Sequence, residues 1–502
     1  MLAKVNSFGL RGIDAYPVDV ETDIHAGLPG TEIVGLPDAS TKEAKERVKS
    51  ALKNSGFLFP PKNITVNLAP ADTKKEGSLY DLPIALGILA ATGQLPSVPD
   101  DLAAVGELAL DGSLRGVRGV LPILLSAAAA GRKRVIVPAA NAGEAAYIHG
   151  PEIYAFSSLA EAVAFLSGGE AAPVPYRRLE TAPDAYAEDL KYVKGQYAAK
   201  RALEIAAAGG HNVLMVGPPG GGKTMLARCL PSILPDITLD EALVTSEIYS
   251  VAGLLDGADI VRRRPFRSPH HTASRMALSG GGIGARPGEI SLAHNGVLFL
   301  DELPEYARST LEILRQPLED GAITVSRAAR SVTYPADFML VASMNPCPCG
   351  HYGSDRECVC TPAQIQKYRA RVSGPLLDRI DLRIEVDGVS YDEIASAADA
   401  EPSAAVRERV NAARRIQQER FAGTGVHCNA RMPSAMMRAY CRLDAAGDRL
   451  LKAAFDKLGL SARAYNRILK VARTIADLAG AADIGAAHLS EAIQYRTAER
   501  SD

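Results

Sequence analysis

The apolar residues of this 502-residue chain form short runs and helical stripes. In the first third, short apolar runs alternate with stretches where apolar side chains recur every three or four positions. That alternation predicts strands interleaved with helices. The predicted strands span residues 16–23, 32–35, 64–68 and 135–138. The predicted helices span residues 41–54, 82–92 and 120–130, with Thr41 as a candidate N-cap of the first.

Residues 391–502 show helical spacing throughout, which predicts an all-helical C-terminal domain. The predicted helices span residues 405–421, 434–440, 445–458, 462–478 and 486–496, and Gly459 and Gly480 are candidate stops. A stretch rich in small residues and proline follows the first domain and predicts a linker. We therefore expect four segments: an N-terminal domain at 1–166, a linker at 167–184, a core at 185–390 and a helical domain at 391–502.

A glycine-rich loop lies between a predicted strand at 212–216 and a predicted helix, and it fits the pattern G-x-x-x-x-G-K-[ST]. In such a loop the backbone N–H groups and the following helix N-terminus face phosphate groups. Lys223 is expected to reach the β and γ phosphates of ATP, and the Thr224 hydroxyl to hold Mg²⁺. The predicted nucleotide contacts of this loop are Gly217, Pro218, Pro219, Gly220, Gly221, Gly222, Lys223, Thr224 and Met225.

A second apolar run, residues 297–300, ends in the adjacent carboxylates Asp301 and Glu302. At the end of a buried strand beside a phosphate-binding loop, Asp301 is expected to hold Mg²⁺ and Glu302 to polarise the attacking water. A further strand at 338–343 is followed by Asn345, whose amide can orient that water and contact the γ-phosphate. Together these features predict an α/β P-loop core that hydrolyses ATP.

Composition and charge restrict the setting in which this core works. Hydrophobic residues make up 47% of the chain and charged residues 23%, as in ordinary soluble globular proteins. The net charge of −2 excludes a strong overall attraction to nucleic acid or membrane, so a nucleic-acid contact would depend on local basic segments. No apolar run has transmembrane length, and the first residues lack a signal-peptide pattern. We expect a protein of the reducing cytoplasm.

Four of the seven cysteines, Cys347, Cys349, Cys358 and Cys360, lie in one loop at 346–361. Four thiolates suit tetrahedral Zn²⁺, and a metal would stabilise a loop that has little core of its own. The spacing is C-x-C rather than the commoner C-x-x-C, and His351 is a candidate substitute for one thiol. Reduced thiols without a metal and a redox-active pair are the alternatives to a zinc site.

The N-terminal domain resembles the Lon protease domain and its ribosomal-protein-S5-like fold at residues 67–72 and 81–87. In Lon-type proteases the helix that begins with Asp-x-Pro carries the nucleophilic serine, and Ile84 occupies that position here. The partner lysine falls near Leu121, and Ser78 precedes the helix. Because the serine and lysine are absent, we expect a non-catalytic scaffold or partner-docking domain.

Two further features of the core resemble AAA+ ATPases. The segment before the P-loop strand corresponds to the one that contacts adenine, which implies contacts from Val193, Gly195 and Gln196. Asn345 stands at the position of the sensor-1 residue of these ATPases. The resemblance implies an AAA+ core with a C-terminal helical lid.

Two arginines have candidate roles between subunits or in the lid. Residues 374–381 resemble the segment that carries the arginine finger of ring ATPases, which implies that Arg379 reaches the γ-phosphate of a neighbouring subunit. Arg463, in the first turn of a predicted helix, is the expected sensor-2 residue. Arg467 lies one turn further on the same face and is the alternative.

With these features, residues 265–272, 280–284, 286–296 and 345–350 resemble the ComM/YifB family of magnesium-chelatase-like AAA+ proteins. The resemblance extends essentially from end to end. It implies an α+β, Lon-like N-terminal domain, an AAA+ core with chelatase-type insertions and a small helical lid. Members of the family are implied to form hexameric rings that move DNA branches during recombination, notably in natural transformation.

Two β-rich arms at residues 322–334 surround a turn of small residues that carries Arg327 and Arg330, which predicts a hairpin. The resemblance implies that this hairpin faces the ring pore, where two cations per subunit would contact DNA phosphates without reading sequence. A surface hairpin with solvated arginines is the alternative. The basic segment at 262–267 is a second candidate pore element.

Two other functions stay open. One is a magnesium-chelatase-type motor that remodels a protein partner to drive metal insertion into a porphyrin, although such a motor subunit is expected to lack the Lon-like domain. The other is an ATPase associated with proteolysis, and the missing serine and lysine argue against its peptidase form. ATP hydrolysis that DNA stimulates would separate the DNA motor from both.

Overall fold

The computed structural model describes residues 1–180, 186–255, 259–282, 284–327, 330–354, 356–388 and 400–497. In chain order the strands are β1 (Leu2–Arg11), β2 (Asp14–His25), β3 (Gly30–Val34), β4 (Asn63–Ala69), β5 (Leu102–Ala104), β6 (Glu107–Leu108), β7 (Leu114–Arg115), β8 (Arg134–Pro138), β9 (Glu152–Phe156), β10 (Val213–Val216), β11 (Phe266–Arg267), β12 (Val297–Leu300), β13 (Ala322–Arg327), β14 (Arg330–Pro335), β15 (Met339–Met344) and β16 (Leu382–Glu385).

In the same order the α-helices are α1 (Ala39–Asn54), α2 (Asp81–Ala91), α3 (Val120–Ala129), α4 (Ala142–Ala145), α5 (Leu159–Leu166), α6 (Tyr197–Gly209), α7 (Lys223–Cys229), α8 (Leu239–Ala252), α9 (Arg275–Ser279), α10 (Glu289–Leu292), α11 (Arg308–Leu311), α12 (Arg315–Asp320), α13 (Pro362–Arg369), α14 (Gly374–Leu377), α15 (Ser403–Arg420), α16 (Ser434–Tyr440), α17 (Ala445–Leu458), α18 (Ala462–Leu478) and α19 (Ala486–Thr497).

These elements form two compact units. Unit 1 comprises Met1–Glu180 and Thr238–Arg262, and unit 2 comprises Thr181–Ile237 and Arg263–Asp502. Helix α8 therefore belongs to the N-terminal unit, although its residues follow the glycine-rich loop in the sequence. The four segments expected from the sequence stay a prediction.

Unit 1 is built on a seven-stranded mixed sheet in the order β3-β4-β2-β1-β5-β8-β9. The predicted strands and helices of this region are confirmed within one or two residues, but the ten-residue strand β1 is absent from the prediction. Its buried polar residues conceal the apolar pattern. Asn6 donates to the carbonyl oxygen of Asp100 at 2.9 Å, and Ser7 donates to that of Ala104 at 2.9 Å.

The positions that correspond to a Lon-type active site are structural in unit 1. The side chains of Ile84 and Leu121 are fully buried in the core. The Ser78 hydroxyl donates to the carboxylate of Glu107. The prediction that Thr41 caps α1 is wrong: Asp38 is the N-cap and accepts the Thr41 N–H at 2.7 Å.

Helix α8 packs within unit 1 through polar contacts as well as apolar ones. The Ser250 hydroxyl donates to Glu144 at 2.7 Å, and the Gly119 N–H donates to the Ser250 carbonyl oxygen at 3.1 Å. Burial raises the pKa of Glu144, and the hydrogen bond from Ser250 opposes that rise. Helix α8 also carries a partly buried carboxylate of its own, Glu247.

Glu247 is expected to make the stability of unit 1 depend on pH. Burial, with a smaller contribution from the charge of Asp14, raises the pKa of Glu247 to about 7. Because this pKa is higher than that of Glu247 in the unfolded chain, the stability that the protonated carboxyl contributes is fully present below about pH 4.5. That contribution is lost as pH rises through about 7. Glu247→Gln should therefore stabilise unit 1 near pH 8 by on the order of 2–3 kcal/mol, and have little effect near pH 4.5.

The measurement is hydrogen exchange of the full chain at both pH values, followed by mass spectrometry. Peptides from α8 report the stability of unit 1 separately from that of unit 2. Glu46→Gln, which changes an exposed carboxylate of the same unit, is the matched control. Equal protection of Glu247→Gln and the parent protein at pH 8 would refute the expectation.

Unit 2 is built on a five-stranded parallel sheet in the order β11-β12-β15-β10-β16. The strands β10, β12 and β15 are almost entirely buried, as expected for a parallel sheet covered on both faces. Because all five strands run the same way, their carboxyl ends meet at one edge of the sheet. Residues that follow these strands are therefore neighbours even when they are far apart in sequence.

The C-terminal part of unit 2 is helical, as predicted, and contains α15 to α19. Apolar side chains of α15, α18 and α19 join those of α6 and the sheet in one buried cluster. Within the described ranges, no helix combines the length and apolarity needed to cross a membrane.

Candidate ATP site and cysteine cluster

The glycine-rich loop connects the carboxyl end of β10 to the first turn of α7, as its sequence predicts. Gly222 is the N-cap of α7 with φ of +84°, a left-handed conformation that side chains rarely adopt. Gly217 lies so close to the strand exit after β16 that a Cβ there would be 2.1 Å from the Val386 carbonyl oxygen. The backbone of the loop is therefore held against the sheet and opens toward the helix N-terminus.

Lys223 is buried at the centre of this loop. Its ammonium group donates to the carbonyl oxygens of Gly217 at 2.6 Å and Pro218 at 2.9 Å, and to Asn345 Oδ1 at 3.1 Å. Burial lowers the pKa of Lys223, while the negative charges of Asp301 and Glu302 oppose that shift. The structure thus brings the predicted sensor-1 asparagine and the loop lysine together, although 122 residues separate them.

The two acidic residues follow β12 beside the loop. Asp301 Oδ2 accepts the Thr224 hydroxyl at 2.8 Å, and Asp301 Oδ1 accepts the hydroxyl of Ser343. Glu302 has φ of +53°, which is uncommon for a residue with a side chain. Its N–H donates to Ser343 Oγ at 3.3 Å. The hydroxyl and carboxylate oxygens of Thr224 and Asp301 are donors of the kind that Mg²⁺ prefers.

Ser343 and His271 belong to this site but are not among the predicted site residues. The Nδ1 atom of His271, which follows β11, lies 3.5 Å from Glu302 Oε2. The Tyr306 hydroxyl donates to the Pro269 carbonyl oxygen at 2.6 Å and thereby fixes the segment that carries His271. The rings of His270 and His271 lie 4.1 Å apart. His271 comes a few residues after the carboxyl end of β11, which is the signal that could have identified it.

The predicted adenine segment lies beside the loop. Val193 is buried, and Gly195 has φ of +59°. Gln196 donates from Nε2 to the Asp387 carbonyl oxygen at 2.6 Å, and more weakly to that of Gly221 at 3.4 Å. Gln196 thus connects the start of α6 to the strand exit after β16 and to the glycine-rich loop.

The structure does not place the three candidate arginines near the loop of their own chain. Arg379 precedes β16, and β16 pairs with β10 so that Leu382 lies opposite Val213. Arg379 is therefore at the amino edge of the sheet, roughly 13 Å of strand away from the carboxyl edge. It is largely buried, its Nη1 donates to the Pro375 carbonyl oxygen at 2.8 Å, and its Nη2 contacts the carboxylate of Glu319.

Of the two lid arginines, Arg467 lies at this same amino edge. Arg467 donates to Asp381 Oδ1 at 2.8 Å, and the Asn212 N–H donates to Asp381 Oδ2 at 2.9 Å. Burial would raise the pKa of Asp381, but the charge of Arg467, the His211 ring and the Asn212 N–H together outweigh it and hold that pKa well below its usual range. Arg463 is exposed one turn earlier on α18. The structure thus gives Arg467 an intramolecular ion pair and leaves Arg463 at the surface.

The four predicted metal ligands, Cys347, Cys349, Cys358 and Cys360, converge. Their sulfur atoms all lie within 4.8 Å of one another, whereas His351 is not part of the group. The backbone N–H of His351 donates to the Cys349 sulfur and lowers the pKa of that thiol to about 6. The cluster follows Asn345 directly, and Gly350 packs on Pro219 of the glycine-rich loop.

The predicted hairpin is confirmed as β13 and β14, which pair in antiparallel register from Ala322 opposite Pro335 to Arg327 opposite Arg330. On one face Ile323, Val325, Val332 and Tyr334 are buried. The turn at 328–329 and the side chains of Arg327 and Arg330 lie outside the described residues. Their contact with DNA stays a prediction.

The second basic segment is engaged within its own unit. Arg264 donates to the carbonyl oxygens of Pro235 at 2.7 Å and Asn295 at 2.9 Å. Arg267 forms a two-pronged ion pair with Glu289, at 2.6 and 2.8 Å. Both guanidinium groups therefore contribute to holding the segment that leads into β11 and His271.

Comparison with known families identifies what this chain resembles. Residues 189–394 match the family model described as magnesium chelatase, subunit ChlI. Residues 20–141 match the model described as subunit ChlI of Mg-chelatase, and residues 400–496 match its C-terminal model. The N-terminal match carries the chelatase description, so an N-terminal domain does not by itself separate this chain from chelatase subunits.

Three relatives show how far the similarity extends. The chain is 48% identical over 505 residues to the competence protein ComM of Haemophilus influenzae, covering 99% of this chain and 98% of the relative. It is 46% identical over 504 residues to the uncharacterized protein YifB of Escherichia coli, with the same coverage. The magnesium-chelatase 67 kDa subunit of Chlorobaculum parvum is 31% identical over 158 residues, which is 31% of this chain and 23% of that protein.

Proposed function

The chain belongs to the ComM/YifB family of magnesium-chelatase-like proteins, and on that premise we propose that it is an ATP-driven ring motor acting on DNA. The observation that carries the proposal is the convergence of Lys223, Thr224, Asp301 and Asn345 at one edge of the parallel sheet. The name of the competence protein supports a role in natural transformation, and we propose branch migration in homologous recombination as the process. The proposed location is the cytoplasm.

Each residue of the site has a separate proposed role in ATP hydrolysis. Backbone N–H groups of the glycine-rich loop surround the phosphates, and the ammonium group of Lys223 exchanges carbonyl contacts for phosphate oxygens. Thr224 and Asp301 would hold Mg²⁺, which supplies positive charge against the phosphates when bound. Glu302 accepts the proton of the attacking water, and Asn345 orients that water. Val193, Gly195 and Gln196 form the proposed adenine side of the site.

Subunit organisation follows from the arginines at the opposite edge. Because Arg379 lies at the amino edge of the sheet, it cannot serve the phosphate site of its own chain without a large rearrangement. A ring, in which the amino edge of one subunit faces the phosphate site of the next, would supply Arg379 between subunits, and we propose that Arg463 contacts the phosphates from the lid. We propose a homo-hexamer, with unit 1 as a non-catalytic domain that docks a protein partner.

The DNA track is proposed to be the hairpin of β13 and β14. Arg327 and Arg330 flank its turn, so six subunits would offer twelve cations to a phosphate backbone. Such contacts give binding that weakens steeply with salt and does not read sequence. The net charge of −2 makes a local track of this kind necessary, because the whole molecule does not attract DNA.

The testing experiment is the steady-state ATPase rate with and without single-stranded or four-way-junction DNA. We expect both DNAs to stimulate the parent protein, and Arg327→Ala/Arg330→Ala to lose that response while keeping the DNA-free rate. Arg442→Ala/Arg449→Ala removes two exposed lid arginines and is the control with the same charge change. ATP hydrolysis that no DNA alters would refute the DNA track.

A chelatase-type motor that remodels a protein is the second candidate, because the family models and the chelatase relative share this core. It predicts the same ATPase residues but stimulation by a protein partner instead of DNA. The match to ComM covers 99% of this chain, whereas the match to the chelatase subunit covers 31% of it. This difference favours the DNA motor.

A further inference from the structure

The sulfur atoms of the cysteine cluster have the spacing of ligands around one cation. The Cys347 sulfur lies 3.3 Å from that of Cys349 and 3.7 Å from that of Cys358, and the last two are 3.6 Å apart. Tetrahedral Zn²⁺ with Zn–S bonds of ~2.3 Å requires sulfur atoms about 3.8 Å apart. A disulfide requires about 2.05 Å, so the observed separations do not suit one.

The loop is shaped to present these sulfurs rather than to bury a core. Cys347 is fully buried, and its sulfur accepts the Tyr352 N–H at 3.3 Å. Gly350 supplies a left-handed turn with φ of +83°, and its N–H donates to the Cys347 carbonyl oxygen at 3.0 Å. Val359, between the last two cysteines, is 80% exposed. A segment with so little apolar burial gains its stability from a ligand.

The loop is also built against the ATP site. A Cβ on Gly350 would lie 2.4 Å from Cδ of Pro219, so the loop backbone touches the glycine-rich loop directly. The far end of the loop enters α13, where Arg369 donates to the Pro346 carbonyl oxygen at 3.3 Å and lies over the Tyr352 ring at 5.4 Å. Both ends of the loop are thereby fixed next to Asn345.

We propose that Cys347, Cys349, Cys358 and Cys360 bind one Zn²⁺, and that the metal-bound loop holds the glycine-rich loop in the position that binds ATP. The metal site stands on the sulfur geometry alone. The coupling rests on the proposed ATP site and on the contact between Gly350 and Pro219. Zinc binding releases the thiol protons and needs no oxidant or reductant.

The metal site is tested on the full chain purified under reducing conditions from a zinc-containing medium. We expect one zinc per chain by mass spectrometry of the metal. Replacement by Co²⁺ should give the intense red-region absorption of a tetrahedral thiolate site, a test that needs no variant. Cys358→Ser should lose the metal or bind it much more weakly. A parent protein with no stoichiometric zinc and no such cobalt spectrum would overturn the site.

The coupling is tested with two alanine variants that keep all four sulfurs. Gly350→Ala should retain zinc but weaken binding of a fluorescent ATP analogue by roughly 10- to 100-fold, because its Cβ displaces Pro219. Gly353→Ala is the matched control, since Gly353 has a similar φ of +76° but nothing within 4 Å of its Cβ position. Equal ATP binding by Gly350→Ala and Gly353→Ala would overturn the coupling.

These readouts keep the two proposals apart. If the parent protein binds zinc but no ATP analogue, the proposed function fails and the metal site stands. If it binds the analogue but no zinc, the metal site fails and the ATP site stands.

Discussion

Glu302→Gln is expected to reduce the ATP turnover rate by roughly 10²- to 10⁴-fold while leaving ATP binding close to that of the parent protein. Glutamine has nearly the same shape but cannot accept the proton of the attacking water. The residues proposed to hold the nucleotide, Lys223, Thr224 and Asp301, are untouched by the change. The measurement is kcat from steady-state hydrolysis beside the Kd of a fluorescent ATP analogue.

Glu305→Gln is the matched control for this prediction. Glu305 is a carboxylate three positions later that forms an exposed ion pair with Arg371 at 3.0 Å, and such pairs contribute little. Loss of this ion pair should leave kcat within about a factor of two to three of the parent value. A Glu302→Gln variant that hydrolyses ATP at the parent rate would remove Glu302 from the proposed mechanism.

Arg379→Ala is expected to reduce kcat by roughly 10³- to 10⁵-fold, the range for an arginine that contacts the γ-phosphate between subunits. Because Arg379 is largely buried and paired with Glu319, a loss of folding could produce the same result. Glu319→Gln separates the two causes. It breaks the ion pair but leaves the arginine available, so it should preserve most of the activity if Arg379 acts on a neighbour.

Mixed rings give the decisive measurement for Arg379. Lys223→Ala subunits lack a working phosphate site but keep Arg379, whereas Arg379→Ala subunits have the reverse defect. Each preparation alone should be inactive, and a mixture should regain part of the activity at interfaces that combine the two intact halves. No recovery in mixtures that demonstrably share rings would refute action between subunits.

The sequence allowed the glycine-rich loop and the Asp301–Glu302 pair to be predicted, because each is a contiguous motif beside an apolar strand. The proximity of Thr224 to Asp301 and of Lys223 to Asn345 also followed, since parallel strands bring their carboxyl ends together. The spans of α16, α17 and α18 were predicted to the residue, because regular helical spacing over a whole element leaves little ambiguity.

Contacts that arise only when distant segments pack could not be predicted in this way. Ser343 looks like an ordinary strand residue until its hydroxyl is seen on Asp301. The contact of Gly350 with Pro219 depends on how the cysteine loop folds back. Strand β1 was missed because Asn6 and Ser7 interrupt its apolar pattern and are satisfied only by a neighbouring strand.

Three side chains form hydrogen bonds with the short segment before β16. The Asn212 side chain donates to the Arg379 carbonyl oxygen at 2.9 Å, Arg496 of α19 donates to that of Ile380 at 2.5 Å, and Arg467 of α18 holds Asp381 at 2.8 Å. Two lid helices are therefore bonded directly to the segment that carries Arg379. A rotation of the lid either carries this guanidinium along or breaks an ion pair. If Arg379 acts on a neighbouring subunit as proposed, the timing of hydrolysis in one subunit would depend on the position of the lid in the next.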